Sequence, residues 1–516
     1  MYKSLMRAKF LNKNTTEGFN SSQLLERHLN DGNFEAATKA CKTLLSEGKE
    51  SSLLASSLIK SFYTRNLDKD SALSFLLELN RDINNSPELK LELADIFLKN
   101  KANYPEAIML CSDILINLIK QYNHAPARVT LFRLYLEENE IALAEEELAV
   151  IQESDDIPES IKEELEAAYN VKILNYGRAY EILNRLCQRE EASIYAYSLL
   201  AKTVQFNQSS KLPELDELQR KLKHKKYNHE DKASAYRVLA KVHLDCQEYK
   251  EAFNYLNKSS QEYLKVFNHS TEKDFEFFDT ANKFLKEFDF EVTSENQKEH
   301  LFILNFPNQV DSELSMYLSS LFNYEYLGEN NFISHMLPGE KNSRTSLEQM
   351  EQIMNMDREQ LDIFQEFYNE NVSHKLGTNK LVLDSCAHNF LYAAIIKKIF
   401  PNAKFLSIKA NKLNALSQSF LNNIETANFF ANYNLKISSE FYNKYESYVS
   451  EIQNKFPDSF LEINLEKDLD ENGLIKESKL EEISTQLMTD LNLELHQEYK
   501  YQNPPKEISD LVKKYI

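Results

Sequence analysis

The residue with the clearest catalytic potential is Glu329, which follows Gly328 in the segment YLGEN. A carboxylate at a turn beside a strand can take a proton from a hydroxyl group, so Glu329 is the candidate general base. The alternative interpretation is an ordinary glutamate at the protein surface. The sequence alone leaves both interpretations open.

A second candidate site consists of Lys409 and Ser417, which stand eight residues apart. An ammonium group and a hydroxyl group can together hold an anion such as phosphate. The same pair can instead belong to a helix end, because small polar residues commonly cap helices. Ser312 presents the same choice, since its hydroxyl can contact an anion or cap the helix that begins SELSMYL.

The elements that position these residues are four short apolar runs, Leu301–Phe306, Lys380–Asp384, Lys404–Ile408 and Phe460–Leu465. Helical patterns separate the runs, and this alternation predicts a parallel β-sheet covered by helices. In such sheets ligands lie beyond the carboxyl ends of the strands. We therefore expect Glu329, Lys409 and Ser312 to lie at that edge, where Asp384 and Asn389 would hold a turn.

The first half of the chain has a different spacing of small and apolar residues. Small or apolar residues recur every 35 to 37 positions, at Ala37, Ala72, Ala107, Ala144, Ala179, Leu215 and Ala252. This period predicts about seven pairs of antiparallel helices stacked as a solenoid over residues 21–290, closed by a helix at Phe275–Phe290. The predicted fold class is therefore α + α/β, with helical repeats followed by a parallel-sheet domain.

Two family resemblances accompany these patterns. The period, with an aromatic residue three positions before several of the alanines, resembles the tetratricopeptide repeat (TPR). Four later segments occur in a fixed order, namely FILNFPNQVDSEL, YLGEN, DSCAHNFLY and FPNAKFLSIKANKLNALS. From about Ala233 to Ser484 the chain resembles bacterial proteins that fuse such repeats to a sulfotransferase domain.

The resemblance implies a domain order and a set of site residues. It implies an N-terminal extension at 1–20, repeats at 21–290, a sulfotransferase-like α/β domain with a P-loop-like sheet at 296–498 and a tail at 499–516. The donor would be 3′-phosphoadenosine 5′-phosphosulfate (PAPS). Ser312 would contact its 5′-phosphosulfate, Lys409 and Ser417 would contact its 3′-phosphate, and Glu329 would be the general base.

The segment that matches the donor loop has lost most of the features that hold a phosphate. Asn308 replaces a basic residue, Val310 replaces a glycine, and Asp311 replaces a hydroxyl donor. A carboxylate near 4 Å from a donor oxyanion costs roughly 4 kcal/mol at an effective dielectric near 20. Ser385 and Ala387 also replace a lysine and a proline of the family motif. The donor site is therefore expected to be impaired.

Composition limits the partners. The 516-residue chain carries a formal net charge of −20, which disfavours nucleic acid and anionic membranes because both repel a polyanion. Five scattered cysteines without CxxC spacing predict a reduced compartment. His224 and His229 have no further ligand-like cluster beside them in the sequence, so we expect no metal site. With no apolar stretch of signal-peptide or membrane-spanning length, we expect a cytoplasmic protein. The last residues, from Tyr499, read as a loosely attached tail with a short helix.

Two functional hypotheses follow. In the first, the chain is a catalytically inactive sulfotransferase homologue, a pseudoenzyme, whose repeats bind a protein or peptide and which needs no cofactor. In the second, it is an active PAPS-dependent sulfotransferase that moves a sulfuryl group to a hydroxyl of a peptide, glycan or small metabolite. Repeat proteins of this type also self-associate, so a homo-oligomer is a further alternative.

Overall fold

The computed structural model of the protein describes residues 20–65, 69–82, 86–99, 106–138, 140–206, 213–224, 227–265, 271–287, 299–310, 312–328, 333, 347–377, 381–422, 434–489, 491 and 499–516. The described chain divides into two compact units between Asp156 and Ile157. Among the described residues, none of the helices combines the length and the apolar composition that a membrane span requires.

The described part of the first unit consists of helices packed around one apolar core. The helices are α1 (Ser21–Asn30), α2 (Phe34–Ser46), α3 (Lys49–Arg65), α4 (Lys69–Asp82), α5 (Pro87–Lys99), α6 (Glu106–Tyr122), α7 (Ala125–Glu137) and α8 (Ile141–Glu153). Consecutive helices pack as pairs, as α1 does with α2 and α5 with α6. The core runs from Leu25 to Leu134. Helix α1 begins with a capping box, in which Asn20 accepts from the Gln23 N–H and the Gln23 side chain accepts from the Asn20 N–H.

The second unit begins with more helices of the same kind. They are α9 (Glu159–Lys172), α10 (Tyr176–Cys187), α11 (Ile194–Thr203), α12 (Pro213–His224), α13 (His229–Asp245), α14 (Tyr249–Leu264) and α15 (Thr271–Glu287). Helix α9 packs on α10 and α13 packs on α14. The predicted closing helix Phe275–Phe290 corresponds to α15. The predicted domain boundary near residue 290 lies outside the described residues.

The alanine ladder marks the second helix of each pair. Ala37, Ala144, Ala179 and Ala252 are the fourth residues of α2, α8, α10 and α14, and all four are fully buried. A side chain of one carbon lets two helices approach closely where a larger side chain would separate them. The predicted helices at these positions are confirmed. The other three ladder residues lie in α4, α6 and α12, but their side chains are outside the described part.

A five-stranded sheet follows the helices. Its strands are β1 (Leu301–Asn305), β2 (Glu325–Gly328), β3 (Val382–Asp384), β4 (Lys404–Lys409) and β5 (Phe460–Asn464). They lie in the order β2-β3-β1-β4-β5, and every pairing is parallel. The four predicted strands and their parallel arrangement are confirmed. Strand β2 was not predicted, because its four residues show no apolar run.

Helices alternate with these strands. They are α16 (Ser312–Leu321), α17 (Leu347–Met354), α18 (Arg358–Leu376), α19 (Ala393–Ile399), α20 (Lys412–Asn422), α21 (Leu435–Lys455), α22 (Glu477–Leu487) and α23 (Lys506–Val512). Every residue of β1 is buried, as expected for a central strand in a parallel sheet. Aromatic side chains join the preceding helices to the sheet, since Phe278 of α15 contacts Phe390 and Phe441. Helices α13–α15 therefore share one core with the sheet.

The C-terminal segment is firmly packed. Ile508 and Val512 of α23 are both 0% exposed. Helix α23 contacts α14 and α20, and the Tyr515 ring lies 6.4 Å from the ring of Phe253. The predicted short helix is confirmed, but the prediction of loose attachment is wrong. The apolar residues of that helix are spaced to cover one face, and that face is buried.

Candidate functional site

The sheet topology defines where a ligand would lie. The chain leaves β1 toward β2 at one edge of the sheet, and it leaves β4 toward β5 at the opposite edge. Strands β1 and β4 are neighbours, so their outgoing connections diverge. In parallel sheets this divergence opens a crevice beyond the carboxyl ends of the strands, where ligands bind. The bend after β1 and the end of β4 are therefore the candidate site.

The bend after β1 is filled by its own side chains. Phe306, Pro307, Asn308 and Gln309 are all buried. The Gln309 N–H donates to the Phe306 carbonyl at 2.9 Å, and the Gln309 side-chain Nε2 donates to the Ile408 carbonyl of β4 at 3.2 Å. The Gln309 amide thus occupies the gap between the ends of β1 and β4.

Helix α20 closes the bend from the other side. The Ser419 hydroxyl donates to the Pro307 carbonyl at 2.7 Å, and the Asn422 side chain donates to the Asn308 carbonyl at 2.9 Å. Asn308 has a φ of 58°, in the left-handed region that asparagine tolerates better than most residues. The Pro307 and Asn308 carbonyl groups therefore accept hydrogen bonds from side chains of α20.

Ser312 lies at the start of α16 and is exposed. Val310 before it is half-buried, and Asp311 lies outside the described residues. The structure therefore leaves the Ser312 hydroxyl accessible at this edge of the sheet.

The structure places Lys409 and Ser417 in different surroundings. Lys409 is the last residue of β4 and is exposed. Ser417 lies in the middle of α20 with 0% exposure, and its Oγ makes no hydrogen bond to any residue that the structure describes. The alternative that Ser417 caps a helix start is wrong, because Asn411 fills that position and accepts from the Asn414 N–H at 2.9 Å.

Asp384 organises the turn after β3. This fully buried carboxylate accepts from the Tyr368 hydroxyl at 2.9 Å, from the Cys386 N–H at 3.0 Å and from the Asn389 side chain at 3.0 Å. Burial, followed by the charge of Asp384 and the hydrogen bond to it, raises the pKa of Tyr368 well above its usual range. The prediction that Asp384 and Asn389 hold a turn is confirmed.

The predicted base, Glu329, lies outside the described residues. Its neighbour Gly328 ends β2 with a φ of 75°, in the left-handed region that favours glycine. The glycine of the Gly328–Glu329 pair is thus explained by the backbone turn.

A small pocket lies against β4 and β5 and is covered by α21. Its lining comes from the bend after β1, from the two strands and from α21. The lining residues are Gln309, Ser407, Ile408, Lys409, Ala410, Tyr442, Tyr445, Glu446, Val449, Ser450, Gln453 and Glu462. Its room for water-sized groups is about 20 Å³, enough for about one water molecule. Pockets for drug-sized ligands and cofactors measure roughly 300–1,000 Å³. This pocket is therefore far too small for a nucleotide.

The electrostatic character of the pocket is acidic. Glu446 and Glu462 line it with Lys409 as the single basic residue. Burial, followed by Tyr442 and the charges of Glu446 and Glu462, raises the pKa of Tyr445 well above its usual range. Two carboxylates against one ammonium disfavour an anionic ligand at this place.

Four residues around the candidate site were not predicted from the sequence, namely Gln309, Tyr445, Glu446 and Glu462. A signal for three of them was present in the printed sequence. Glu462 is the charged residue inside the otherwise apolar strand FLEIN, and Tyr442, Tyr445 and Glu446 are spaced by three and four residues on one helix. For Gln309 no pattern pointed to the hydrogen bond that it makes with β4.

Two comparisons with known proteins found no match. No model of a known protein family matches the chain. No curated protein matches it either. The resemblance to the tetratricopeptide-repeat sulfotransferases therefore stays a prediction based on the motifs.

Proposed function

We propose that the chain is a tetratricopeptide-repeat protein that binds a protein or peptide partner, and that its sulfotransferase-like domain serves as a scaffold without binding a sulfate donor. The single observation that carries this proposal is the closed bend after β1. A phosphate cradle requires an open loop whose N–H groups converge on the anion. Here Gln309, Ser419 and Asn422 fill and hold that loop.

The second part of the donor site supports the same proposal. A 3′-phosphate would need Lys409 and Ser417 together, but the Ser417 hydroxyl is fully buried inside α20. The pocket beside Lys409 has room for about one water molecule and two carboxylates among its lining residues. The small volume of the pocket and its two carboxylates therefore both disfavour binding of the sulfate donor.

The repeat pattern supports a binding role. Stacked helix pairs present extended surfaces that other proteins use to hold peptides and protein segments. The net charge of −20 favours a basic or neutral partner, since like charges would repel. The ladder alanines that fix the close helix packing are buried in both compact units.

Calorimetric titration of the full chain with the donor and with its 3′,5′-bisphosphate product tests the scaffold part. We expect no heat of binding at micromolar concentrations of either nucleotide. Binding with a micromolar Kd would end the proposal. A parallel cross-linking experiment in cells of the native host should yield a protein partner in near-stoichiometric amount, and the purified pair should form a complex again.

The second candidate, an active PAPS-dependent sulfotransferase, is favoured by one observation. Lys409 is exposed at the carboxyl end of β4, beside the divergence of the strand connections. In that case Glu329 would be the base and PAPS the donor. Transfer of labelled sulfate from the donor to any component of a host lysate, lost in Glu329→Gln, would establish this function instead.

A further inference from the structure

Cys386 differs from the other four cysteines of the chain in its exposure. Cys41, Cys111 and Cys187 are 0% exposed and Cys246 is 3% exposed, whereas Cys386 is half-buried at the turn after β3. None of the five forms a disulfide. A small molecule in solution can therefore reach one thiol of the folded chain far more easily than the other four.

The imidazole of His388 lies beside this thiol, with 4.0 Å between Cys386 Sγ and His388 Nδ1. Contacts between a nucleophile and its base are often this long before a ligand binds. An imidazole in this place can take the thiol proton, and the imidazolium then stabilises the thiolate. Because the thiolate is the reactive form of cysteine, the two residues together form an activated sulfur nucleophile.

Backbone hydrogen bonds fix the turn that carries both side chains. The Cys386 N–H donates to Asp384 Oδ1 at 3.0 Å. The Asn389 N–H donates to the Cys386 carbonyl at 3.0 Å, and the Leu391 N–H donates to the His388 carbonyl at 2.9 Å. The position of the thiol relative to the imidazole is therefore set by the turn itself.

The neighbouring elements bring one carboxylate and two phenols to this turn. Asp384 of β3 accepts from the Tyr368 hydroxyl of α18, and Ser385 donates to the Tyr326 hydroxyl of β2 at 3.4 Å. The charge of Cys386 is among the lesser causes that raise the pKa of Tyr368. Because the Asp384 charge opposes a thiolate, the positive charge of a protonated His388 is needed to offset it.

The same turn holds a buried acceptor without a donor. Asn389 is 1% exposed, and its Oδ1 accepts no hydrogen bond from any residue that the structure describes. Its Nδ2 donates to Asp384 Oδ1 at 3.0 Å, so the Asn389 amide and the Cys386 N–H converge on one oxygen atom. A buried acceptor in this state is costly, so the position favours a small O–H donor beside Cys386.

We propose that Cys386 is a redox modification site, at which hydrogen peroxide oxidises the thiolate to a sulfenic acid. His388 takes the thiol proton, and the sulfur attacks one oxygen of the peroxide. The S–O bond forms as the O–O bond breaks, and the electron pair of the O–O bond leaves with the second oxygen as hydroxide. The His388 imidazolium protonates this hydroxide to water, so the sulfur is oxidised and the peroxide is reduced by the same electron pair.

The test uses the full chain, reduced and then freed of reductant. Hydrogen peroxide is added together with dimedone, which labels sulfenic acids, and mass spectrometry locates the label. We expect the label on Cys386, with the four buried cysteines unlabelled as internal controls. Cys386→Ser should lose the label.

Alkylation by iodoacetamide measures the thiolate directly. At about pH 6.5, Cys386 should react about tenfold faster than N-acetylcysteine, and about tenfold faster than it does in His388→Gln. At about pH 8.5 an ordinary thiol is half ionised, so the native chain and His388→Gln should differ by only about twofold. A substitution that merely changed the access to Cys386 would alter both rates by the same factor.

Equal rates for the native chain and His388→Gln at about pH 6.5 would overturn the inference. Dimedone on the buried cysteines in place of Cys386 would overturn it as well. If His388→Gln does not fold, the native chain decides the question, because a Cys386 rate no higher than that of N-acetylcysteine contradicts activation by His388.

Discussion

Gln309 determines what the bend after β1 can do. Its side chain joins the end of β1 to the end of β4 through the Ile408 carbonyl, and it fills the volume that an anion would need. A short side chain at this position would open the bend but leave a buried carbonyl without its donor. The closed bend thus depends on Gln309 together with Ser419 and Asn422 of α20.

Replacing Gln309 with alanine should lower the free energy of unfolding by about 1–3 kcal/mol, because Ile408 O loses its donor inside the protein. Urea unfolding followed by circular dichroism measures this change. Gln453→Ala is the control, since Gln453 is exposed in the same pocket and its loss should change stability by less than about 0.5 kcal/mol. Equal effects of the two substitutions would contradict the role given to Gln309.

Tyr368 donates to the buried carboxylate of Asp384. Tyr368→Phe keeps the ring but removes this donor, so we expect a loss of about 2 kcal/mol in stability. Tyr176→Phe, at an exposed tyrosine of α10, should have almost no effect. Chemical unfolding of both variants tests the difference, and a stable Tyr368→Phe variant would show that Asp384 does not depend on it.

Lys397 gives stability a dependence on pH. Its amine is buried and donates to the Ala403 carbonyl at 2.9 Å and to the Ser459 hydroxyl at 2.7 Å. Burial, with a smaller effect of Lys404, lowers the pKa of Lys397 from 10.5 to about 8. Between these values the unfolded chain binds more protons than the folded chain, so the free energy of unfolding rises with pH.

The contribution of Lys397 to this rise should be about 2 kcal/mol between pH 8 and pH 10. Lys397→Met should remove it, and the difference between the two unfolding curves measures it. Lys398→Met serves as the control, because it removes a neighbouring charge and keeps the buried amine. A difference between wild type and Lys397→Met that is constant across this pH range would contradict the assignment.

At the scale of elements, the last helix stabilises the second unit. Helix α23 packs on α14 and α20, which ties a repeat helix to a sheet helix. Ile508→Ala removes a fully buried side chain and should cost about 2–5 kcal/mol. Ile516→Ala is a matched control, because Ile516 is 49% exposed at the end of the same segment. Thermal unfolding of both variants measures the difference. Equal unfolding midpoints for the two variants would show that the C-terminal segment is loosely attached.

Most elements could be predicted from the sequence because their signals are periodic. The 35-to-37-residue spacing located α2, α8, α10 and α14, and apolar runs located β1, β3, β4 and β5. Strand β2 has four residues of mixed polarity, so no pattern distinguished it. Its place in the sheet comes from pairing with β3, a contact between distant segments that local patterns do not contain.

The candidate site was predicted less well than the elements. Lys409 could be placed at a strand end, since β4 has a clear apolar run. Ser417 lies in the middle of α20, and its inward direction depends on how that helix packs. Gln309 and Glu446 line the same pocket only because of the tertiary fold. Sequence spacing fixes order along the chain, whereas the contacts of a side chain depend on the fold.

At the scale of the whole molecule, pairs of helices precede a five-stranded parallel sheet along the chain. A net charge of −20 directs the chain toward basic or neutral partners. The pocket beside β4, lined by Glu446, Glu462 and Lys409, likewise disfavours an anionic ligand. Charge at both scales therefore opposes binding of an anionic sulfate donor.

The most direct measurement is a crystal structure of the full chain soaked with 3′-phosphoadenosine 5′-phosphate. We predict that the bend at residues 306–310 keeps its hydrogen bonds to Ile408 and α20, with no nucleotide beside it. A nucleotide seated beside this bend, with Gln309 displaced from Ile408 and Lys409 on its 3′-phosphate, would contradict the account.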